Sequence, residues 1–279
     1  MKRIIPRLDI KGPNLVKGIH LEGLRVLGSP DAFAQYYYEN GADEIIFQDV
    51  VASLFERNSL HDIISRTAKN IFIPITVGGG IRKIDDIYGV LSAGADKVSL
   101  NTAVVRNPSF IEEAAKTFGS STIVVAIEAI KSSNGQYFAF IDNGREETGF
   151  EVKEWVQRVT NYGAGELVIT SVDRDGTALG FDLELLEQVK SVTTLPVIAH
   201  GGAATFENAK AATELSEALA IASAFHYETY DKINNDFLAK EEGNISFLES
   251  KKEFKKIKTF SIADLKKYFG ENNVKHRPI

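Results

Sequence analysis

The sequence contains no cysteine, one methionine and one tryptophan among its 279 residues. Without cysteine, disulfide bonds and thiolate metal sites are excluded. No apolar run approaches the roughly 20 residues that a membrane-spanning helix needs. The opening stretch, MKRIIPRLDI, is too short and too charged for a signal peptide. These absences lead us to expect a cytoplasmic enzyme that does not associate with a membrane.

An excess of positive charge is also missing. The chain has 32 Lys and Arg against 38 Asp and Glu, which gives a net charge of −6 and a pI of about 5.5. This balance argues against a general binder of nucleic acid or of membrane surfaces, although it does not exclude local phosphate sites. The content of 44% hydrophobic and 25% charged residues is ordinary for a globular protein.

The most informative stretch is VGGGIRKIDD at residues 77–86, which follows the apolar run IFIPIT. A buried strand that ends in glycines and turns into a helix exposes backbone N–H groups that bind anions, most often phosphate. A tight turn with no ligand would need the same glycines. A single turn of this kind therefore leaves both interpretations open.

The same pattern recurs in the second half of the chain as LPVIAHGGAATFENA at residues 195–209. Pro74 and Pro196 lie 122 positions apart, and so do Gly79 and Gly201. The stretches GADEIIFQD and GAGELVITSVD keep this offset. Solenoid repeats are much shorter, so the pattern predicts two fused half-domains with two phosphate-binding turns.

Strand-like and helix-like segments alternate along most of the chain, which predicts parallel βαβ units. Eight such units fit a chain of this length, because a (β/α)8 TIM barrel typically takes about 250 residues. A doubly wound open sheet is the alternative, but the half-and-half repeat favours a closed barrel with pseudo-two-fold symmetry. We therefore predict one barrel domain over residues 1–279.

Residues 228–259 are dense in charge and lack periodicity, and a helix with Ser261 as its N-cap is predicted after them. This pattern indicates an insertion before the final helix. The insertion is interpreted as a solvated surface decoration or, alternatively, as a flap or lid over the barrel.

Polar residues at the carboxyl ends of the strands are the candidates for chemistry, because TIM barrels place their active sites there. Asp9 and Glu128 end the first and fifth strands and are predicted to face each other as a general acid–base pair. A structural hydrogen-bonding role is the alternative for either carboxylate alone. Two phosphate sites at one mouth imply a substrate with a phosphate at each end.

Several motifs, among them KRIIPRLD, LVKG, GADEIIFQD, VGGGIR, GADKVSLNTA and GAGELVITSVDRDGT, strongly resemble the HisF-type cyclase subunit of imidazole glycerol phosphate synthase. The resemblance covers nearly the whole chain except the insertion. It implies a lyase of histidine biosynthesis that needs neither metal nor organic cofactor. Such an enzyme uses ammonia to split a phosphoribulosyl-formimino aminoimidazole carboxamide ribotide into imidazole glycerol phosphate and the aminoimidazole carboxamide ribotide.

The resemblance also implies roles for individual residues. Asp9 and Glu128 would be catalytic, and Lys17 would be a loop lysine near the substrate. Gly80, Asn101 and Thr102 would belong to the first phosphate site, and Asp175, Gly202 and Ser223 would lie around the second. A ring of alternating charges at the opposite face, Arg3, Glu44, Lys97 and Glu166, would gate the entry of ammonia. The expected partner is a HisH-type glutaminase that forms a heterodimer with the barrel.

Four positions depart from the family pattern. Glu128 stands where the family has aspartate, Arg7 where it has cysteine, His20 where it has asparagine, and His200 where it has serine. Because a carboxyl displaced by about 1 Å can lose roughly a hundredfold in rate, other interpretations stay open. One is a paralogue that supplies ammonia to an amidotransferase of surface-polysaccharide sugar biosynthesis. Another is a non-enzymatic scaffold that docks the glutaminase.

Overall fold

The computed structural model describes residues 1–52, 60–230, 232–233 and 258–279. The described strands are β1 (Arg3–Lys11), β2 (Asn14–Ile19), β3 (Glu22–Gly28), β4 (Ile45–Asp49), β5 (Ile75–Gly78), β6 (Lys97–Leu100), β7 (Ile123–Lys131), β8 (Tyr137–Ile141), β9 (Glu146–Glu151), β10 (Glu166–Ser171), β11 (Val197–His200) and β12 (Ala218–Ile221).

The described helices are α1 (Pro30–Glu39), α2 (His61–Thr67), α3 (Ile84–Ser92), α4 (Thr102–Arg106), α5 (Ser109–Phe118), α6 (Val152–Asn161), α7 (Leu183–Lys190), α8 (Phe206–Leu215), α9 (Ser223–Tyr230) and α10 (Ile262–Glu271). A short 3-10 helix covers Ser120–Thr122. No helix among the described residues is long and apolar enough to cross a membrane.

Eight parallel strands close into a barrel. The order is β1, β4, β5, β6, β7, β10, β11 and β12, and β12 pairs with β1 to complete the circle. The helices between these strands pack their apolar sides against the outside of the sheet, as α6 does with the buried Trp155, Val156 and Val159. The prediction of a (β/α)8 barrel is therefore confirmed.

Two antiparallel hairpins interrupt the regular alternation. β2 and β3 follow β1, and β8 and β9 follow β7, so each half of the barrel carries its hairpin after its first strand. Glycine and charged residues obscure the strand pattern of the first hairpin in the sequence of residues 11–25.

The internal repeat is visible in the backbone as well. Gly79 and Gly201 have φ angles of +97° and +98°. A Cβ atom on Gly79 would lie 2.3 Å from the carbonyl oxygen of Asp49, and one on Gly201 would lie 2.6 Å from that of Ser171. Both glycines are thus required by a close approach of the neighbouring strand, at equivalent places in the two halves.

The barrel interior is layered because side chains alternate between the two faces of each strand. A middle layer is apolar and consists of Ile5, Ile46, Val124, Val168, Ile198, Ala218 and Ala220. On several strands, the residue two positions before the apolar layer is charged and lies at the amino end of the strand. On several strands, the residue two positions after the layer is polar and lies at the carboxyl end. Arg3, Ile5 and Arg7 show this order along β1.

The C-terminal helix α10 closes the outside of the barrel. Ser261 caps it in a capping box with Asp264, as the sequence predicted. Its Lys266 is buried and donates to Asp43 at 2.8 Å, and Arg277 reaches the same carboxylate at 3.0 Å. Of the predicted insertion at 228–259, only residues 228–230, 232–233 and 258–259 are described, so this prediction lies largely outside the described residues.

Candidate active site

A cavity at the carboxyl ends of the strands has a volume of about 250 Å³. Gly80, Asn101 and Thr102, the predicted residues of the first phosphate site, line it together with Glu128. Gly80 has a φ of +73°. Asn101 is the N-cap of α4 and Thr102 is its first residue, directly after β6. The cavity extends inward to Ile46, Ala126 and Val168 of the apolar layer.

The predicted residues of the second phosphate site lie in a separate, much smaller cavity. Asp175, Gly202 and Ser223 line it with His200, and its volume is about 20 Å³. Ser223 is the first residue of α9 rather than the last residue of a strand. The two glycine turns therefore lie at the same mouth, and the first borders the larger of the two cavities.

A cluster of buried charges separates the two cavities. Lys17 of β2 is 1% exposed, and its Nζ donates to both carboxylate oxygens of Asp175 at 2.8 and 3.1 Å. The same Nζ lies 3.7 Å from Oδ2 of Asp9. Lys17 thus joins the first hairpin to the loop after β10, and it lines neither of the two cavities.

Arg7 completes this cluster from β1. Its Nε donates to Asp9 Oδ1 at 3.0 Å, and its Nη1 donates to Thr170 Oγ1 and to His200 Nδ1, each at 3.1 Å. Arg7 lines the larger cavity whereas Asp9 does not. The predicted Asp9–Glu128 pair therefore does not face one open space, because Arg7 is the β1 residue that borders the cavity containing Glu128.

The charges of the cluster determine which of its side chains carry a proton. Burial alone would raise the pKa of Asp175, but Lys17 and Arg7 outweigh burial and lower this pKa to about 2. Burial and the adjacent charge of Arg7 hold the pKa of His200 well below its ordinary range. His200 is therefore neutral at pH 7, and its Nδ1 accepts from Arg7 while its Nε2 carries the proton.

Glu128 behaves differently from the other carboxylates. Burial raises its pKa to about 7, although the Gly144 N–H donates to Oε2 at 2.8 Å and Arg7 exerts an opposing attraction. Near neutral pH this carboxyl can both accept and donate a proton, which suits general acid–base chemistry. Among the described residues, no group of three or more His, Cys, Asp or Glu side chains could hold a metal ion.

The four predicted gate residues meet at the opposite, amino-terminal face of the barrel. Arg3 forms ion pairs with Glu44, at 2.6 Å, and with Glu166. Lys97 forms ion pairs with the same two carboxylates, at 3.4 Å to Glu44 and 2.9 Å to Glu166. Each cation bridges both anions, so the four side chains form a closed ring directly below the apolar layer.

Arg7 and its contact with His200 were not identified as site features from the sequence, where both residues appeared only as departures from the family pattern. The signal was present in the alternation along β1. Because Arg3 and Ile5 point into the barrel, Arg7 must also point inward, at the level of the cavity. Its partners, 163 and 193 positions away, could not be located in this way.

Comparison with known proteins places these features in a family. Residues 3–231 match the family described as "Histidine biosynthesis protein". A protein of Legionella pneumophila named "Imidazole glycerol phosphate synthase subunit HisF" is 54% identical over 205 residues, which cover 74% of this chain and 97% of the relative. Proteins with the same name from Exiguobacterium sp. and Wolinella succinogenes are each 47% identical, and cover 81% and 82% of this chain and 88% and 91% of their own lengths.

These matches span the barrel, its two glycine turns and the ring of ion pairs, and the family match ends at residue 231, just inside the predicted insertion. The chain therefore belongs to the histidine biosynthesis protein family and is a relative of its HisF-type subunits.

Proposed function

We propose that this chain is the cyclase subunit of imidazole glycerol phosphate synthase. It uses ammonia to convert the phosphoribulosyl-formimino aminoimidazole carboxamide ribotide into imidazole glycerol phosphate and the aminoimidazole carboxamide ribotide. The observation that carries the proposal is a cavity at the carboxyl ends of the strands that joins a glycine turn to Glu128 and reaches inward toward the charged ring. The family and the names of its relatives support the same reaction.

The site residues then take the following roles. Glu128 and Asp9 act as the general acid–base pair, with Glu128 in the cavity and Asp9 behind Arg7. The turns at Gly80 and Gly202 bind the two phosphates of the substrate through backbone N–H groups. A substrate that spans both turns must displace the contacts of the buried cluster, because that cluster separates the two cavities.

Ammonia would enter from the amino-terminal face. The closed ring of Arg3, Glu44, Lys97 and Glu166 lies below the apolar layer, and Ala126 of that region borders the larger cavity. A small neutral molecule needs only a transient opening of one ion pair to pass. We infer that a HisH-type glutaminase docks over this ring as a heterodimer partner. The cytoplasmic location of the pair remains a prediction from the sequence.

The test is the formation of imidazole glycerol phosphate by the purified barrel with ammonium salt in place of a partner. We expect a turnover of the usual enzymatic order, about 1 s⁻¹ or more. Asp9→Asn should abolish it, whereas Glu128→Asp should leave it similar or raise it, because that change restores the residue of the family pattern at this position. A folded, phosphate-binding protein with no detectable product would refute the cyclase function.

A second candidate is a paralogue that passes ammonia to an amidotransferase of surface-polysaccharide sugar biosynthesis. The specific observation in its favour is that two of the departures, Arg7 and His200, contact each other at 3.1 Å, and a third, Glu128, shares the cavity with Arg7. This grouping indicates that the pocket as a whole differs from the family pattern. Failure of both the native barrel and Glu128→Asp in the ammonia assay would favour this candidate.

A further inference from the structure

The guanidinium of Arg7 is the least expected group in the larger cavity. It is 4% exposed and is held by three contacts to side chains of three strands, namely Asp9, Thr170 and His200. All three contacts use Nε or Nη1. The plane of the guanidinium is therefore fixed by side chains that lie behind it or beside it.

The remaining nitrogen, Nη2, has no hydrogen-bond partner among the described residues. Nη2 is not among the buried side-chain atoms that lack a partner, so it has accessible surface, and Arg7 lines the larger cavity. Burial opposes the charge of Arg7, but Asp9, Asp175 and Glu128 outweigh burial and raise its pKa, so the group is positive at any working pH. A fixed, charged donor at a cavity wall is the arrangement that a ligand oxygen completes.

The cavity indicates which ligand oxygen this is. Arg7 and Gly80 line the same space of about 250 Å³, and Glu128 lines it as well. A phosphate at Gly80 would leave the attached carbon chain to extend toward Arg7 and Glu128. Lys17 does not line this space, so Arg7 is the buried cation available to that chain.

We propose that Arg7 is a substrate-binding residue whose Nη2 donates to a carbonyl or hydroxyl oxygen of a phosphorylated sugar chain held at Gly80. The inference rests on the proposed function, because it deepens the description of the same site. It makes Arg7 a specificity residue, since a ligand with phosphate alone gains nothing from this donor. His200 and Thr170 then position Arg7, and Thr170 also lines the cavity in which the ligand would lie.

The test compares two ligands in the full-length protein by isothermal titration calorimetry, D-ribulose 5-phosphate and inorganic phosphate. The native protein should prefer ribulose 5-phosphate. Arg7→Met should weaken the binding of ribulose 5-phosphate by about 10- to 100-fold, as expected for the loss of one hydrogen bond from a charged donor. The affinity for inorganic phosphate should be unchanged within error, and the matched surface control Arg158→Met should change neither.

Arg7→Lys provides the second variant in case Arg7→Met does not fold. A lysine keeps the charge but cannot hold Asp9, Thr170 and a ligand oxygen together, so the preference for ribulose 5-phosphate should also fall. Equal losses for both ligands, or no loss for either, would show that Arg7 is structural and overturn the proposal. Because neither titration requires turnover, a native protein that binds ribulose 5-phosphate through Arg7 but forms no imidazole glycerol phosphate would refute the proposed function alone.

Discussion

At the scale of single residues, the barrel mouth balances two buried cations against two buried carboxylates. Arg7 and Lys17 face Asp9 and Asp175, with Lys17 Nζ 2.8 Å from Asp175 Oδ2. Glu128 lies beside this balanced set, and its burial outweighs both the Gly144 N–H and the attraction of Arg7. This arrangement explains why the pKa of Glu128 rises to about 7 while that of Asp175 falls to about 2.

A pH dependence of stability follows for Glu128. Because its pKa is raised from 4.5 to about 7 in the folded protein, the protonated carboxyl favours folding. This contribution is fully present below about pH 4.5 and is lost as the pH rises through about 7. We expect the free energy of unfolding of the native protein to fall relative to Glu128→Gln by about 3 kcal/mol over that range.

The measurement is urea-induced unfolding of both proteins at a series of pH values. The exposed Glu113 on α5 provides a control, and Glu113→Gln should follow the native pH curve closely. Parallel curves for the native protein and Glu128→Gln would show that the carboxyl titrates normally in the folded state, contrary to the expectation.

At the scale of elements, the first hairpin is attached to the second half of the barrel by a buried ion pair. Lys17 on β2 pairs with Asp175 after β10, and the Leu21 N–H donates to the same carboxylate at 3.2 Å. The backbone N–H of His20 also donates to the carbonyl of Asp175, at 2.9 Å. The hairpin therefore covers the mouth by contacts to the opposite half of the repeat.

We predict that Lys17→Met destabilises the protein by about 3 kcal/mol, because it leaves the Asp175 carboxylate buried with less compensation. Asp175→Asn should have a similar cost, and the double variant should cost clearly less than the two single costs combined. Chemical denaturation measures all three. The exposed pair of Glu22 and Arg145 offers the control, since Glu22→Gln should cost less than about 0.5 kcal/mol.

Additive costs for Lys17→Met and Asp175→Asn would contradict this account, since they would mean that the two side chains stabilise the fold independently. Hydrogen exchange supplies an independent measure. In Lys17→Met the amides of β2 and β3 should exchange faster, while those of β10 should keep their protection.

At the scale of the whole molecule, an apolar layer separates two polar faces of the barrel. The cavity with Glu128 lies at one face, and the ring of four ion-paired side chains lies at the other. Ammonia that enters at one face of a barrel can react at the other face only if a path joins the two faces. Under the proposed function the ring would be the narrow part of that path, because each of its cations bridges both carboxylates.

Lys97→Ala tests this arrangement in the reconstituted complex with a HisH-type glutaminase. Loss of Lys97 leaves Glu44 and Glu166 with Arg3 alone, so the ring no longer closes on one side. We expect the glutamine-dependent rate to fall by at least about tenfold, while the ammonia-dependent rate of the free barrel stays near the native value. Lys116→Ala on the exposed surface of α5 is the matched control and should alter neither rate.

Equal losses in the two assays would indicate that the ring only stabilises the barrel. Conservation of a face at the amino ends of barrel strands usually reflects stability, so the ratio of the two rates carries the information. The unfolding temperature of Lys97→Ala should be recorded alongside them, to separate a loss of fold from a loss of delivery.

Much of the fold could be predicted from the sequence, because it depends on local patterns. Apolar runs predicted the eight barrel strands, and the two glycine turns recur at the same offset because both meet the backbone of a neighbouring strand. Gly79 and Gly201 accordingly adopt nearly equal φ angles. The resemblance to the family implied the charged ring, and each of its residues begins or immediately precedes a strand.

The composition of the site was decided by tertiary structure alone. Arg7 donates to Asp9 on the same strand and to His200, which lies 193 positions away in the sequence. The second contact forms because closure of the barrel brings β1 beside β12 and close to β10 and β11. No local pattern encodes which inward side chains meet after closure, nor how much water reaches them. For this reason the sequence by itself determined the barrel, its turns and its family, whereas the pairing of Arg7 and the raised pKa of Glu128 follow only from the packed interior.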